Sequence, residues 1–284
     1  MRILIGYNGS EAAMAALYDL RFAGMPDATE AVVFSVCEEW NKPRSIEDAR
    51  ILAQDGMAIL TREFPTWQIS AEAAKGNPAN EIIARSFALG SDLIVVGESE
   101  VPISAQTGRV GQTSQKILTD AECSVRVCRG QIDELGHPER ILVGFDGSEG
   151  SLNAVNLISA RKWKNKPDVQ LLAVADTSFL TSIRRFTPEI KNAATEAKFA
   201  SQWAETLASE SLKKLTNAGV SASVAVKFGH PKETIIEEAK RWSADAIYVG
   251  PHCNCNSFER FLLGSVSSAV AARAHCSVEV VRAR

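Results

Sequence analysis

The stretch RILVGFDGSEGS (Arg140–Ser151) repeats RILIGYNGSEAA (Arg2–Ala13) with few changes. Each copy begins with an apolar run typical of a buried strand and continues into a turn that carries glycine and serine. The copies start 138 positions apart, at residues 2 and 140. Within the turn, Asn8 of the first copy corresponds to Asp146 of the second. The chain therefore contains one strand-and-turn unit twice, with a different charge in each turn.

The repetition continues along the chain at a larger offset. Lys75–Gly97 corresponds to Phe228–Gly250, and Gly111–Arg129 corresponds to Gly264–Arg282, both 153 positions apart. The second half therefore holds 15 more residues (153 − 138), and the helical stretch Pro188–Leu215 accommodates them. We interpret the chain as a tandem duplication.

The duplication predicts a domain at residues 1–130, a domain at residues 138–284, and a linker at 130–138. Each half alternates short apolar strands with amphipathic helices, which indicates an α/β fold with a parallel sheet and right-handed crossovers. We expect two doubly wound domains of five strands each. The predicted helix starts are capped by serine or begin with proline, at Ser10, Ser148, Pro78 and Pro231.

Composition excludes several classes of partner. The 284 residues carry a formal net charge of −3, which gives no electrostatic signal for nucleic acid or an acidic membrane. No apolar run approaches the ~20 residues of a membrane span, and the N-terminus does not resemble a signal peptide. We therefore expect a cytoplasmic protein with neither nucleic acid nor membrane as partner. Four cysteines in or beside apolar strands are expected to be buried structural thiols: Cys37, Cys123, Cys128 and Cys276.

Three groups of residues follow strands, where ligands bind in doubly wound sheets. The turn Asp146-Gly147-Ser148 offers an acceptor for ribose or base, although the same residues also satisfy a helix cap. Gly250 leaves the fourth strand, and Gly264-Ser265 opens the next helix, where free N–H groups and the helix dipole attract phosphate. Ser265 is expected both to cap that helix and to donate to phosphate.

The third group is His252-Cys253-Asn254-Cys255, which contains the residue types of a metal or redox site. A closed zinc site needs four ligands, and His230 is the nearest further candidate in the sequence. His230 follows the third strand, which is expected at the sheet edge, away from the fourth. We therefore favour a solvated loop and keep a metal- or thiol-reactive site as the weaker alternative.

Together these residues resemble the universal stress protein family, in its tandem form. The similar motifs are ILVGFDGSE and ILIGYNGSE, the turns at Gly76-Asn77-Pro78 and Gly229-His230-Pro231, the strands DLIVVG and DAIYVG, and the endings CSVRV and CSVEV. The resemblance implies strand order 3-2-1-4-5 in each domain. It also implies ATP or a related adenine nucleotide in the second domain only, at Asp146, Gly147, Ser148, Val174, Gly250, His252, Gly264, Ser265, Val266 and Ser267.

By this resemblance, Asp146 faces the ribose or base and the backbone of Val174 faces adenine. The phosphates are expected to be surrounded by Gly250, Gly264, Ser265 and Ser267. The family's nucleotide motif is altered, because Cys253 replaces its second glycine and ten residues instead of nine precede Gly264.

The first half departs further from the nucleotide motif, at Asn8, Glu100 and Gln112. Glu98 and Glu100 would also direct carboxylates at a polyphosphate, at roughly 3 kcal/mol per close pair of charges. We therefore expect no nucleotide in the first half.

The sequence predicts a stress-response protein that binds nucleotide in its second domain. A scaffold of the same fold without nucleotide is the alternative that the altered motif leaves open. No convincing general base lies near the expected phosphates, so at most weak ATP hydrolysis is expected, with no catalytic residue assigned and no metal.

The fifth strands complete the prediction. CSVRVC and CSVEVV form sheet edges without proline or an inward-pointing run of charge, and exposed apolar edges tend to pair. We expect Cys123–Arg129 to lie beside Cys276–Arg282 about a pseudo-twofold axis, which gives an intrachain pseudo-dimer. Homo-oligomers can form on top of it.

Overall fold

The computed structural model describes residues 1–38, 45–98, 111–129, 137–176, 193–251 and 263–283. Strands of the first half are β1 (Arg2–Gly6), β2 (Glu30–Cys37), β3 (Gln68–Lys75), β4 (Leu93–Gly97) and β5 (Ser124–Cys128). Its helices are α1 (Glu11–Asp19), α2 (Ile46–Glu63), α3 (Pro78–Leu89) and α4 (Gln112–Asp120), and a short 3-10 turn follows α1 at Leu20–Phe22.

The second half repeats this order. Its strands are β6 (Arg140–Gly144), β7 (Asp168–Ala175), β8 (Ser221–Phe228), β9 (Ala246–Val249) and β10 (Ser277–Val280). Its described helices are α5 (Glu149–Ala160), α6 (Ala193–Asn217), α7 (Pro231–Arg241) and α8 (Ser265–Arg273). The helix α6 has 25 residues and its counterpart α2 has 18, so the second half does hold the longer helix. In the parts of the chain that the structure describes, no helix is both long and apolar enough to cross a membrane.

All ten strands lie in one sheet, in the order β3-β2-β1-β4-β5-β10-β9-β6-β7-β8. Each half has the predicted order 3-2-1-4-5 with parallel pairing inside the half. The halves meet where β5 pairs antiparallel with β10. Arg126 lies opposite Glu279 and is flanked by valine pairs on both sides. The predicted pairing of the two fifth strands is therefore present.

The helix starts agree with their sequence signals. The side chains of Ser10 and Ser148 accept hydrogen bonds from backbone N–H groups in the first turns of α1 and α5. Proline opens α3 and α7, where its missing N–H costs no intrahelical hydrogen bond.

The two faces of the sheet are packed differently. On one face, a single apolar core runs through both halves and includes Val125, Val127, Val278 and Val280 at the junction. On the other face each half has its own core, under α1 and α2 in the first half and under α5 and α6 in the second. Because side chains alternate along a strand, Arg126 and Glu279 point to this second face, between the two separate cores.

These two residues form the centre of a buried network of charged side chains, which we call the junction network: Asp19, Arg126, Glu279 and Arg161. Arg126 is 1% exposed, donates from Nε to Asp19 Oδ2 at 2.6 Å, and lies 3.2 Å from Glu279 Oε2. Arg161 Nη1 donates to the same Oε2 at 3.0 Å, and Arg161 Nη2 binds Oε1. The Tyr248 hydroxyl accepts from both guanidinium groups, at 3.2 and 2.5 Å.

The prediction considered only a run of inward charge, and it did not include the single buried charge that each fifth strand carries, Arg126 and Glu279. Each charge is buried because it lies against an opposite charge from the other half. An unpaired buried ion would be too costly to desolvate. The signal was present in the sequence, where CSVRV and CSVEV differ in charge at one matched position.

Two arginines repeat one contact on both sides of the axis. Arg129 donates to the carbonyls of Ala271 and Cys276 in the second half. Arg282 donates to the equivalent carbonyls of Leu118 and Cys123 in the first half. Each arginine thereby caps the C-terminal turn of a helix in the opposite half, where the helix dipole is negative.

Loss of the junction cation is the first test of this architecture. Arg126→Met leaves the carboxylates of Asp19 and Glu279 buried without the cation between them, so we expect a loss of about 3–5 kcal/mol in the free energy of unfolding. Urea unfolding measures it. The matched control is Lys162→Met, which removes an exposed ion pair between the halves with Asp27 and should change stability by less than about 1 kcal/mol. Equal effects of the two changes would contradict the assigned role of the buried pair.

A buried carboxyl at the start of the second half gives a pH test. Glu139 is 3% exposed, and within the described residues its Oε2 has no hydrogen-bond partner. Burial raises the pKa of the Glu139 carboxyl above its usual 4.5, with Asp245 adding to the shift, while a backbone hydrogen bond and the charges of His137 and Lys164 oppose it. Because the pKa is raised in the folded state, the ionised carboxylate destabilises the fold at neutral pH. This cost disappears once the pH falls below the unfolded value.

Glu139→Gln should therefore raise the melting temperature at pH 7. The gain should shrink as the pH approaches 4 and vanish below it. Thermal unfolding across this range measures the effect. A gain that does not depend on pH would show that ionisation of Glu139 is not its cause.

Candidate functional site

The candidate site lies where β6 and β9 end side by side. Strand order reverses between these neighbours, because β7 and β8 continue on one side and β10 on the other. The loops that leave two such strands diverge to opposite faces of the sheet and open a crevice. In the second half, residues 145–148 follow β6 at this edge of the sheet, where β7 also ends and α8 begins, and we take these segments as the borders of the crevice.

The turn after β6 has a defined hydrogen-bond pattern. Asp146 is exposed, and its Oδ1 accepts the backbone N–H of Ser148 at 3.0 Å. Gly147 has φ of +75°, and a side chain there would also collide with Leu207 of α6. Ser148 then caps α5 by accepting the N–H of Ser151 at 3.3 Å.

The first half builds the same turn from Asn8, Gly9 and Ser10. Asn8 Oδ1 accepts the N–H of Ser10 at 3.1 Å, and Gly9 has φ of +73°. An amide therefore satisfies the turn as well as a carboxylate does. The hydrogen bond that closes the turn does not require the negative charge of Asp146, and the two copies of the turn can therefore differ at this position.

Val174 is the penultimate residue of β7, where this strand extends beyond β6. Gly144 at the end of β6 lies opposite Leu172, whose carbonyl accepts the N–H of Phe145 at 2.9 Å. Backbone groups along a strand point alternately to its two neighbours, and the Ala175 carbonyl accepts a bond from the β8 side. The N–H and C=O of Val174 therefore point past the end of β6, toward the crevice.

The first turn of α8 forms the opposite border. Gly264 is the N-cap residue, and the first intrahelical bond runs from the Ser268 N–H to its carbonyl. The N–H groups of Ser265, Val266 and Ser267 precede this bonding pattern. The expectation that Ser265 caps the helix is wrong, because Ser265 is the first helical residue and the cap at Gly264 has no side-chain hydrogen bond.

Gly250 and Ser267 also have structural roles. A Cβ atom on Gly250 would lie 2.3 Å from the carbonyl carbon of Gly150, so glycine is needed for the close approach of β9 to α5. The hydroxyl of Ser267 is buried and donates to the Gly250 carbonyl at 2.6 Å. This bond ties the start of α8 to the end of β9. The sequence analysis did not identify the packing role of Gly150. The signal that could have indicated it was a glycine in the first turn of a predicted helix.

The equivalent crevice of the first half is arranged differently. Gly97 packs against the backbone of Ala12, and Gln112 opens α4. Glu98 is held by Arg129 through two hydrogen bonds of 2.6 and 2.9 Å. The predicted repulsion from Glu98 is therefore reduced by a cation that sequence reasoning did not connect to it. The equivalent position in the second half is Pro251, which has no charge.

The His252-Cys253-Asn254-Cys255 loop and Glu100 lie outside the described residues. Within those residues, no group of three metal-ligating side chains is close enough to hold an ion. The four cysteines expected to be structural are buried and free of disulfides: Cys37, Cys123, Cys128 and Cys276. Burial raises the pKa of the Cys128 thiol and raises that of Cys276 to about 12, so both are protonated at neutral pH.

Comparison with known proteins identifies relatives in sequence and in fold. A Staphylococcus aureus (strain USA300) protein whose name places it among universal stress proteins is 32% identical over 146 residues, which is 51% of this chain and 84% of that protein. A universal stress protein structure from Archaeoglobus fulgidus shares the fold with a TM-score of 0.61 at 18% identity, over 99% of this chain and 96% of that one. A Pseudomonas aeruginosa structure of the same description gives a TM-score of 0.62 at 16% identity, over 99% and 92%.

The profile of the Universal stress protein family matches residues 138–282, which is 145 of the 284 residues. The match contains the turn at Asp146, both ends of the crevice and the strand that joins the halves. The chain belongs to the universal stress protein family.

Proposed function

We propose that this chain is a cytoplasmic tandem universal stress protein that takes part in a stress response. Residues 138–284 form the domain that binds ATP or a related adenine nucleotide. Residues 1–130 form a second domain that keeps the fold and binds no nucleotide. The second crevice holds the nucleotide between the Asp146 turn and the first turn of α8.

The turn carries this proposal. Asn8 and Asp146 make the same backbone hydrogen bond, so turn formation does not account for the carboxylate of Asp146. A carboxylate on an exposed strand-end turn accepts hydrogen bonds from hydroxyl groups strongly. Ribose supplies two neighbouring hydroxyls. The backbone of Val174, directed past β6, supplies a donor and an acceptor for the edge of the base.

The start of α8 provides the phosphate end of the site. Its first N–H groups lie before the intrahelical bonding pattern, and the helix dipole adds about half a positive charge there. The N-cap residue is Gly264, with φ −65° and ψ 155°, and it has no side chain that could itself accept a hydrogen bond from those groups. In this proposal the hydroxyl of Ser267 holds β9 to α8, and its backbone N–H serves the phosphate.

The first half lacks the charges that this arrangement needs. Asn8 replaces the carboxylate, and Glu98 keeps a carboxylate beside the crevice even while Arg129 binds it. The corresponding Pro251 in the second half is uncharged. This difference supports nucleotide in the second domain only.

A scaffold function without nucleotide is the second candidate. Cys253 in place of the family's second glycine, together with the loop of ten residues before Gly264, favours it. Neither candidate assigns a catalytic residue, so any ATP hydrolysis would be weak.

A small molecule retained from the cell would distinguish the two candidates. Purified protein is denatured, and the released molecules are identified by mass spectrometry. Nucleotide binding predicts one adenine nucleotide for each chain, and less from the Asp146→Ala variant. The scaffold candidate predicts none, and added ATP should then produce no calorimetric signal.

Substitutions at the crevice test the assignment to one half. We expect Asp146→Ala to weaken ATP binding by about tenfold or more, because a hydrogen bond to a charged acceptor contributes about 1.5–3 kcal/mol. Asp146→Asn keeps the turn, as Asn8 does, and isolates the effect of the charge. Gly264→Asp fits the extended backbone of an N-cap and places a negative charge beside the phosphates, so binding should fall strongly while folding is preserved. Isothermal titration calorimetry measures all three.

Matched changes in the first half are the controls. Asn8→Ala and Gly111→Asp occupy the equivalent turn and the equivalent N-cap, and they should leave ATP affinity unchanged. Affinity that falls with these changes and not with those of the second half would reverse the assignment.

A further inference from the structure

The junction between the halves brings equivalent residues face to face. Arg126 and Glu279 are 153 positions apart, the offset that relates the two repeats, and they lie opposite each other in the β5–β10 pair. In a closed twofold pair of identical units, a residue on the axis meets its own copy. Unlike charges at such a position require two units of different sequence, which the duplication supplies within this one chain.

Residues at the ends of neighbouring helices add to this difference in charge between the halves. Asp19, at the end of α1, binds Arg126, and Arg161, directly after α5, binds Glu279. Across the junction the charges therefore alternate: negative and positive from the first half, then negative and positive from the second. Asp19, Arg126, Glu279 and Arg161 are all buried, with side chains no more than 5% exposed.

Several other contacts at the junction are the same from both halves. The valines on either side of Arg126 and Glu279 are equivalent in the two repeats. Arg129 and Arg282 reach equivalent carbonyls, and Ser124 and Ser277 accept from equivalent backbone N–H groups. A pair of two first halves, or of two second halves, would keep all of these contacts. The charge order at the axis would change, to two facing arginines or two facing glutamates excluded from water. Contacts made in one direction only, such as Lys162 with Asp27 and Arg126 with Tyr248, would also be lost.

We propose that the junction network makes the β5 and β10 edges selective for each other and prevents each edge from pairing with a second copy of itself. The first half then pairs only with a second half, either from its own chain or from another copy. Like-charge contacts suppress wrong partners at interfaces, and burial removes the water that would otherwise screen them.

Two full-length variants test the proposal by exchange between chains. Arg126→Glu and Glu279→Arg each place like charges at the axis, so neither chain should form the compact monomer alone. Produced together with different tags, the Glu279→Arg chain still contributes its Arg126 and the Arg126→Glu chain its Glu279. We expect a 1:1 complex by native mass spectrometry, in at least about a hundredfold excess over dimers of either variant with itself.

The control reverses an exposed pair at the same junction. Lys162→Asp opposes Asp27 across the halves, with both side chains about two-thirds exposed or more, and this variant should remain a compact monomer. Either charge-reversed chain behaving alone as a compact monomer would overturn the proposal. Disruption of both chains without recovery on co-production would also overturn it, because the charges would then be needed to fold each half and not to choose its partner.

Discussion

The sheet of this protein depends on one buried contact between opposite charges, Arg126 with Glu279. Two like charges about 4 Å apart would repel by about 4 kcal/mol at an effective dielectric of 20, and neither residue has access to water. Asp19 and Arg161 complete the neutralisation, so the four side chains carry no net charge. On the opposite face of the sheet, the same strands contribute valines to a core that crosses the junction. Ten strands therefore form one sheet because the charges on one face permit the apolar packing on the other.

Duplication freed the two halves to diverge in more than their junction. The turn after the first strand of each repeat keeps its glycine, its serine cap and its side-chain acceptor, because these set the backbone path. The charge at that acceptor is not fixed by the turn and differs between Asn8 and Asp146. At the fourth strands, glycine is kept in both halves because the neighbouring helix backbone leaves no room for a side chain. The residue that follows it is free to be Glu98 or Pro251. Features required by packing are thus shared, and features available for binding differ.

The strand order of each half was implied by the family resemblance, and the pairing of the fifth strands by that order together with the duplication. The elements themselves were predicted from local sequence patterns. Serine caps and helix-opening prolines were predictable for the same reason, as at Ser148 and Pro231. The partners of Arg126 and Arg129 were not predictable, because each lies more than 30 positions away along the chain and is brought near only by tertiary packing. The role of Gly250 could not be decided from the sequence, because a glycine at this position is compatible both with contact to a ligand and with close packing against a neighbouring helix. Ser265 was assigned as a cap because serine is a favoured capping residue, yet the helix begins at Ser265 itself, one position earlier than that assignment requires.

Arg129 connects the crevice of the first half with a helix of the second half, so neither half is electrostatically independent. Its guanidinium is held by Glu98 at the crevice of the first half and reaches the last turn of α8, the helix whose first turn borders the crevice of the second half. The negative end of that helix is therefore neutralised by a residue from the other repeat. A second half cut from the chain would keep its sequence motif but lose this cation and the apolar strand beside it. The repeat unit in sequence is half of the molecule, whereas the smallest complete electrostatic unit is the whole chain.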